Sequence, residues 1–295
     1  MTANESKNTQ KIRILEWNIN LRVKDTLFVP DYFVEEIIRR KPDVIVLLEF
    51  NNQENVQSLK NQLSDYLCYS YLGDETGKLE NQKNYGNGIF IGLKKTKFNN
   101  RNNDEYEHQG IEAKEPNWLH VHAILNNGNV LDITGVRVQV GKGTGSKEFR
   151  NRVSQIKWLL DKQKSFGKQK PFEKQIIVGD FNYGPHISYW AENLALNWQN
   201  VVYLFHDKGY KNSNFNQYGP FSPTGTSWKS EKLDWLAAKN VKINQSSDYN
   251  KLDWSFAKAY DDTYYVPGFR VPEGYFVRTD VGYPDHAIFT VEIEV

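Results

Sequence analysis

IIVGDFN, residues 176–182, is a run of three branched apolar residues followed by Gly179, Asp180, Phe181 and Asn182. A short apolar run of this kind is typical of a strand buried on both faces. A carboxylate directly after it lies where a rigid strand opens onto a surface or cleft. Aspartate and asparagine are also typical of an ordinary turn after a strand. Whether Asp180 and Asn182 belong to an ordinary turn or to a functional site depends on the residues at the other strand ends of the chain.

Polar side chains interrupt several other apolar segments in the same way. Glu49 follows VIVLL, Asn18 interrupts KIRILEWNI, and Asp285 and His286 stand directly before AIFTVEIEV. Each alone is typical of a solvated strand end or, for the histidine, of a structural role. Together they supply oxygen ligands and one imidazole, which favours Mg²⁺ or Mn²⁺ over Zn²⁺. A divalent cation beside a carboxylate and a histidine suits phosphoryl chemistry.

The order of the predicted elements indicates a layered α/β domain. Strand patterns occur in runs with a few helices between them, and the final AIFTVEIEV alternates strictly, as a half-buried strand does. SKEFRNRVSQIKWLLDKQ is the clearest helix because apolar residues recur in it at helical spacing. We predict a disordered polar tail over residues 1–10 and a single domain over residues 11–295.

Composition excludes several classes of protein. The net charge of the 295-residue chain is +1, so no global basic field indicates nucleic acid, although a local basic cleft is compatible with it. A single cysteine, Cys68, excludes an internal disulfide. No apolar run approaches the roughly 20 residues that span a bilayer. The polar N-terminus is not a signal peptide, which makes a cytoplasmic location the default expectation.

Five segments, in chain order, resemble the successive motifs of the endonuclease/exonuclease/phosphatase superfamily. They are LEWNIN, VIVLLEF, IIVGDFN, KLDWLAA and YPDHAIF. The superfamily includes abasic-site endonucleases, DNase I-type nucleases, inositol polyphosphate 5-phosphatases and sphingomyelinases. The resemblance spans nearly the whole chain, and GDFN followed much later by DHA before a terminal strand is its most specific part. It implies a four-layer α/β sandwich, in which two mixed β-sheets are flanked by helices.

The resemblance also implies a metal site and its ligands. Glu49 matches the metal-binding glutamate of the family, and Asn18 matches the asparagine that helps to organise the metal site. Asp285 matches an acidic residue near the metal. The implied cofactor is Mg²⁺ or Mn²⁺.

Catalytic roles follow from the same resemblance. Asp180 and Asn182 match the pair that orients the attacking water and contacts the phosphate, and Asp180 is the favoured base. His286 matches the histidine that binds the phosphate or stabilises the pentacovalent transition state. In the family, a separate aspartate accepts a hydrogen bond from that histidine and fixes its tautomer.

The identity of this aspartate is ambiguous because KLDW occurs twice, at Lys232–Trp235 and at Lys251–Trp254. Asp234 is followed by an apolar strand pattern and preceded by SPTGTSW, which resembles the loop before this strand in the family. Asp253 lies among polar residues that are typical of a surface loop or short helix, although it is nearer to Asp285. We predict Asp234. This choice implies an aromatic-rich insertion near residues 243–280, either a lid that stacks on substrate or a segment folded onto the domain.

The chain departs from the family at two positions. Arg137 is the nearest polar residue where many members carry a histidine or tyrosine, and it is either a phosphate-binding group or an exposed strand residue. Asn20 stands where some abasic-site enzymes have an acid, and it is a second candidate for substrate contact. His120 and His122 lie on one face of a strand at a spacing that suits a metal, but the sequence offers no third ligand, so we interpret them as structural.

The sequence therefore predicts a divalent-metal-dependent phosphodiesterase, and specifically a nuclease acting on DNA or RNA. The alternative with the same fold is a phosphomonoesterase acting on inositol phosphates, lipid head groups or nucleotides. A binding module that keeps the fold without catalysis is a third hypothesis, which the presence of all the key motif residues disfavours.

Overall fold

The computed structural model describes residues 9–21, 29, 31–50, 53–71, 88–100, 106–108, 115–139, 146–166, 174–185, 196–210, 233–253 and 286–295. The predictions made for Asp285, for residues 1–8 of the tail predicted over residues 1–10 and for the aromatic segment beyond Asp253 lie outside these residues. Gln10, the last residue of that tail, exchanges two backbone hydrogen bonds with Val295.

Twelve strands and four helices occur within these ranges. The strands are β1 (Lys11–Leu21), β2 (Val44–Phe50), β3 (Tyr66–Tyr71), β4 (Gly88–Lys94), β5 (Tyr106–His108), β6 (Asn117–Ile124), β7 (Val130–Arg137), β8 (Lys174–Asp180), β9 (Asp234–Lys239), β10 (Lys242–Ile243), β11 (Lys251–Asp253) and β12 (Ile288–Glu294). The helices are α1 (Asp31–Arg40), α2 (Gln53–Gln62), α3 (Ser146–Phe166) and α4 (Trp198–Asp207).

The strands form two mixed sheets. The first has seven strands in the order β10-β12-β1-β2-β4-β3, with β11 also paired to β12, and the second has five in the order β5-β6-β7-β8-β9. Each sheet contains one parallel pair, β1 with β2 and β7 with β8, while the remaining pairs among the described strands are antiparallel. The parallel pairs need crossovers, and α1 and α3 lie in them.

Three apolar clusters divide the molecule into four layers. The largest lies between the two sheets and contains Val46 of β2 and Val178 of β8. A second joins the first sheet to α1 and α2, where Ile37 is buried, and a third joins the second sheet to α3 and α4, where Ile156 is buried. The helix–sheet–sheet–helix arrangement confirms the predicted four-layer α/β sandwich.

The two parallel pairs bring several strand ends together. The carboxyl ends of β1, β2, β7 and β8 carry Asn18, Glu49, Arg137 and Asp180 in turn. Because β9 runs antiparallel to β8, its first residue, Asp234, lies directly opposite Asp180. Strand β12 is antiparallel to β1 and begins just after the histidine of the DHA motif. The fold thereby collects the polar residues of five separate motifs at one edge.

The second KLDW copy is a strand, and the predicted surface loop or short helix is wrong. Lys251–Asp253 forms β11, which pairs with β12 in an antiparallel register that places Asp253 opposite Ile288. A short polar strand suits this position because it occupies an edge of the pairing network. The described beginning of the predicted insertion therefore runs along β12, first as β10 and then as β11. None of the described helices is both long and apolar enough to cross a membrane.

Candidate active site

Asp234 and His286 form a buried hydrogen-bonded pair. Nδ1 of His286 lies 2.8 Å from Oδ2 of Asp234, and the aspartate has no exposed surface. A charged acceptor at Nδ1 holds the proton on that nitrogen and directs Nε2 to the other side of the ring. Asp253 instead contacts the guanidinium of Arg40 in α1, on the other side of the first sheet. The predicted choice of Asp234 over Asp253 agrees with these contacts.

Asp180 accepts hydrogen bonds from both neighbouring asparagines. The backbone N–H and Nδ2 of Asn182 donate to Asp180 at 2.7 and 2.8 Å, and Nδ2 of Asn18 donates to its Oδ2 at 3.3 Å. Burial raises the pKa of Asp180 to about 7, the charge of His286 lowers it, and the negative charge of Asp234 raises it further. The carboxyl group therefore titrates near neutral pH.

The turn after β8 places Asn182 by an uncommon backbone conformation. Asn182 has a φ of 46°, and its Nδ2 also donates to the carbonyl of Val138 at 2.8 Å. The guanidinium of Arg152 in α3 donates to the Asn182 carbonyl at 2.5 Å. Gly179 has a φ of 144°, and a Cβ there would lie 2.1 Å from the Val136 carbonyl oxygen. The glycine of GDFN is therefore required for β8 to approach β7 so closely.

Glu49 and Arg137 form an ion pair that connects the two sheets. The pairing of β2 with β4 shifts register around Glu49, which has a φ of 61°, and such a bulge redirects a side chain. Nε of Arg137 donates to Oε1 of Glu49. Both side chains are buried, so the prediction of an exposed strand residue for Arg137 is wrong. Asn20 lies near the end of β1, and its side chain is outside the part that the structure describes.

Known structures share this architecture, whereas no family model and no curated protein matches the chain. D. rerio TDP2 complexed with single strand DNA product is 16% identical, with a TM-score of 0.57 over 97% of this chain and 100% of that one. The human Nocturnin catalytic domain with bound sulfate anion is also 16% identical, with a TM-score of 0.57 over 97% and 96%. An endonuclease/exonuclease/phosphatase from Beutenbergia cavernae DSM 12333 is 13% identical, with a TM-score of 0.58 over 97% and 72%.

The chain has the fold of the endonuclease/exonuclease/phosphatase superfamily. At these identities the similarity establishes the fold, and the site itself has to support any statement about chemistry.

Within this endonuclease/exonuclease/phosphatase fold, Glu16 is a buried carboxyl group that the motif analysis missed. It precedes Asn18 on β1 and has no exposed surface. Burial, and then the negative charge of Asp234, raise its pKa well above the ordinary value. The signal that could have found it is a glutamate continuing the alternation of Ile12 and Ile14, because charged residues are almost never fully buried without a partner.

The donor set fits a hard divalent cation. One ligand atom from each of Asp180, Asp234 and His286 lies within 4.8 Å of the others. Carboxylate and amide oxygens predominate, as Mg²⁺ and Mn²⁺ prefer. In the described part of this edge, the buried carboxyl groups outnumber the buried side chains that can carry positive charge. The carboxyl groups are those of Glu16, Glu49, Asp180 and Asp234, and the other two side chains are Arg137 and His286.

A second cluster of acid and histidine lies elsewhere on the second sheet. Asp132 of β7 accepts a hydrogen bond from Nδ1 of His122 at 2.7 Å, and Nε2 of His120 lies 3.6 Å away. Nδ1 of His120 contacts the Thr134 hydroxyl, which donates to Gln163 of α3. The two histidines thus have a carboxylate partner that their spacing alone did not reveal, in agreement with a structural role.

Proposed function

We propose that the chain hydrolyses phosphodiester bonds with the help of Mg²⁺ or Mn²⁺, and that its substrate is DNA or RNA. The observation that carries the proposal is the buried Asp234–His286 pair beside Asp180, at the edge where strand ends of both sheets meet. The preference for a nucleic acid is supported by the similarity to TDP2 complexed with single strand DNA product.

Glu49 and Asn18 are the proposed ligands of the divalent cation, together with Asp285, which lies outside the described residues. When bound, the cation would neutralise negative charge on the phosphoryl oxygens. Glu49 is held for this role by the bulge of β2, and Asn18 by its hydrogen bond to Asp180.

Asp180 is the proposed proton acceptor for the attacking water. A general base works best when its pKa lies near the working pH, and the pKa of this carboxyl is raised to about 7 by burial. Both of its oxygens accept hydrogen bonds from Asn182, which fixes the carboxylate plane. Asn182 thus positions the base and lies ready to contact the phosphate.

His286 is proposed to stabilise the charge that develops on the phosphoryl group. The hydrogen bond from Nδ1 to Asp234 orients the ring and stabilises its protonated form. Nε2 is then the atom that donates toward a phosphoryl oxygen. The pair is buried, so the charge of Asp234 acts on the ring in a low-dielectric setting.

Arg137 is proposed to bind a phosphate oxygen of the substrate, with Asn20 as a further contact. A guanidinium presents its donors in a planar fork that suits phosphate. The ion pair with Glu49 holds Arg137 beside the carboxylates and limits the positions its side chain can take. Substrate and cation would then each weaken this pair, the substrate by binding Arg137 and the cation by binding Glu49.

The test is cleavage of labelled single- and double-stranded DNA and RNA in Mg²⁺, in Mn²⁺ and in EDTA. His286→Ala is compared with His122→Gln, a histidine change in the other cluster. We expect cleavage that needs the metal and falls about 10²–10³-fold in His286→Ala alone. Phosphate release from inositol phosphates or nucleotides, without cleavage of any polymer, would establish the phosphomonoesterase instead. Absence of metal-dependent turnover on every phosphoester would leave only a binding module.

A further inference from the structure

The backbone carbonyl of Asn182 is held by a buried arginine of a different element. Nη1 of Arg152 in α3 donates to this carbonyl oxygen at 2.5 Å, and only 8% of Arg152 is exposed. A buried backbone carbonyl needs a hydrogen-bond donor, because no bulk water reaches it. The side chain of Arg152 therefore joins α3 to the turn that follows β8.

The turn needs such support because its backbone conformation is uncommon. Asn182 has a φ of 46°, in the left-handed region that few residues other than glycine adopt. Its backbone N–H and its Nδ2 both donate to the carboxylate of Asp180. These two hydrogen bonds depend on the conformation of Asn182, and an uncommon conformation persists where the surrounding contacts hold it.

The same face of α3 also holds the segment beside the turn. Gln155 lies on the side of the helix that carries Arg152, since residues at this spacing are neighbours on a helix surface. Oε1 of Gln155 accepts from the N–H of Gln139 at 2.8 Å, and its Nε2 donates to the Gln139 carbonyl at 3.1 Å. The carbonyl of the adjacent Val138 accepts from Nδ2 of Asn182. The turn and its neighbouring segment are thus both fixed to one helix.

The ion pair of Arg152 with Glu148 orients the donor that holds the turn. The two side chains are 9% and 13% exposed. A largely buried ion pair contributes little net stability, because taking two charges out of water costs about as much as their attraction returns. The guanidinium, however, presents its donors in a fixed plane. Its Nη2 binds the Glu148 carboxylate, which directs Nη1 to the carbonyl of Asn182.

We propose that Arg152 is a positioning residue of the reaction, which holds the carbonyl of Asn182 and thereby the hydrogen bonds that orient the carboxylate of Asp180. It acts through Asn182 and not by contact with the substrate. The role rests on the proposed function, in which Asp180 accepts a proton from the attacking water. A small displacement of such a group slows the chemical step more than it weakens substrate binding.

Steady-state cleavage of a labelled oligonucleotide in Mn²⁺ tests this role, at a temperature below the melting temperatures of all variants. We expect kcat of Arg152→Gln to fall about 10²-fold, with a smaller change in KM. Glu148→Gln keeps an oxygen that accepts from Arg152, and Arg150→Gln changes an exposed arginine of the same helix. Both are expected to keep kcat near the wild-type value. Unchanged kcat in Arg152→Gln, an equal loss in Glu148→Gln, or a rise in KM alone would overturn the proposal.

Hydrogen exchange followed by mass spectrometry tests the contact without any substrate. A peptide covering residues 176–184 contains the backbone N–H of Asn182, which is bonded to Asp180. In Arg152→Gln the turn loses a charged donor, so exchange in this peptide is expected to be about tenfold faster or more. In Glu148→Gln it is expected to match the wild type. Unchanged exchange in Arg152→Gln would show that the turn does not depend on Arg152.

The two measurements keep this proposal separate from the proposed function. If the wild type cleaves with a requirement for His286 while Arg152→Gln keeps both kcat and exchange, the positioning role is wrong and the function stands. If the wild type cleaves no phosphoester, the function fails and the role of Arg152 in it fails as well, while exchange still decides whether Arg152 holds the turn.

Arg152→Lys replaces Arg152→Gln if the latter does not fold. The ammonium keeps the positive charge beside Glu148 but lacks the planar fork that serves two acceptors at once. We expect kcat to fall about tenfold, less than in a variant without the charge, and exchange in the turn peptide to be faster than in the wild type. Wild-type values of both would contradict the positioning role.

Discussion

Asp132 and Asp180 are both buried aspartates of neighbouring strands, and their surroundings act on them in opposite ways. Burial acts to raise the pKa of Asp132, but hydrogen bonds from His120 and His122 overcome it and lower the pKa to about 2. The pKa of Asp180 is raised to about 7, mainly by burial. The positive charges of His286 and Arg137 lower this pKa, but they do not offset burial together with the negative charge of Asp234.

The difference lies in how well each carboxylate is compensated. The single carboxylate of Asp132 contacts two histidines. At the other cluster, His286 and Arg137 are paired with Asp234 and Glu49, and further carboxyl groups lie beside them. A cluster that is compensated within the protein stabilises the fold, and one that is left short of positive charge is suited to bind a cation and a phosphate. Residue types alone do not separate the two, since each contains aspartate and histidine.

Of the substitutions that test this comparison, Asp234→Asn is expected to have the largest effect on turnover. The amide keeps the size of the side chain but removes the charge that stabilises the protonated form of His286, so kcat is expected to fall about 10²–10³-fold, as in His286→Ala. The measurement is single-turnover cleavage of a labelled oligonucleotide. Asp132→Asn is the matched change in the other cluster, and its kcat is expected to stay near the wild-type value. Equal losses in the two variants would remove the distinction between the clusters.

Asp180→Asn is expected to lower turnover and, in EDTA, to become more stable relative to the wild type as pH rises. The folded-state pKa of Asp180, about 7, lies above the ordinary value of 3.8, so the wild type loses stability as pH rises between these values. The variant has no such group, so its free energy of unfolding minus that of the wild type should increase from pH 4.5 to pH 7.5. Urea unfolding at the two pH values measures this. A difference between the two free energies of unfolding that is the same at both pH values would show that the pKa of Asp180 is not raised.

Asp132→Asn is expected to destabilise the fold by about 2 kcal/mol at pH 7, with the opposite pH dependence. The folded-state pKa, about 2, lies below the ordinary value of 3.8, so the stability that Asp132 contributes is present above pH 4. It is lost as pH falls toward 2, where the variant and the wild type should converge. Urea unfolding from pH 7 to pH 2.5 follows the convergence. A constant gap would indicate that packing and not charge accounts for the loss.

Arg137→Gln is expected to have the smallest effect on turnover. We expect KM for the phosphoester to rise about tenfold with less change in kcat, because a bidentate phosphate contact is lost. The Mn²⁺ concentration needed for half-maximal activity should fall, since Glu49 no longer binds a guanidinium. Steady-state kinetics at several Mn²⁺ concentrations measure both, with Arg39→Gln on α1 as the control. If KM is unchanged, Arg137 serves only to hold Glu49.

Much of the fold was readable along the chain because the signals are local. The apolar run before Asp180 and the alternation of the last strand follow from the period of side chains on a strand. The resemblance of five motifs then implied the layers, and the sheets confirm them. The sequence predicts a loop or short helix at Lys251–Asp253 because its polar residues carry no strand signal. Only its position beside β12 makes it a strand.

The amino-acid order settled which polar groups stand at the strand ends, since each motif lies within a few consecutive residues. Packing in three dimensions settled what those groups contact. The pairing of His286 with Asp234, the ion pair of Arg137 with Glu49 and the burial of Glu16 all join segments far apart in the chain. Such contacts depend on strand register and on the meeting of two sheets, which no local pattern encodes.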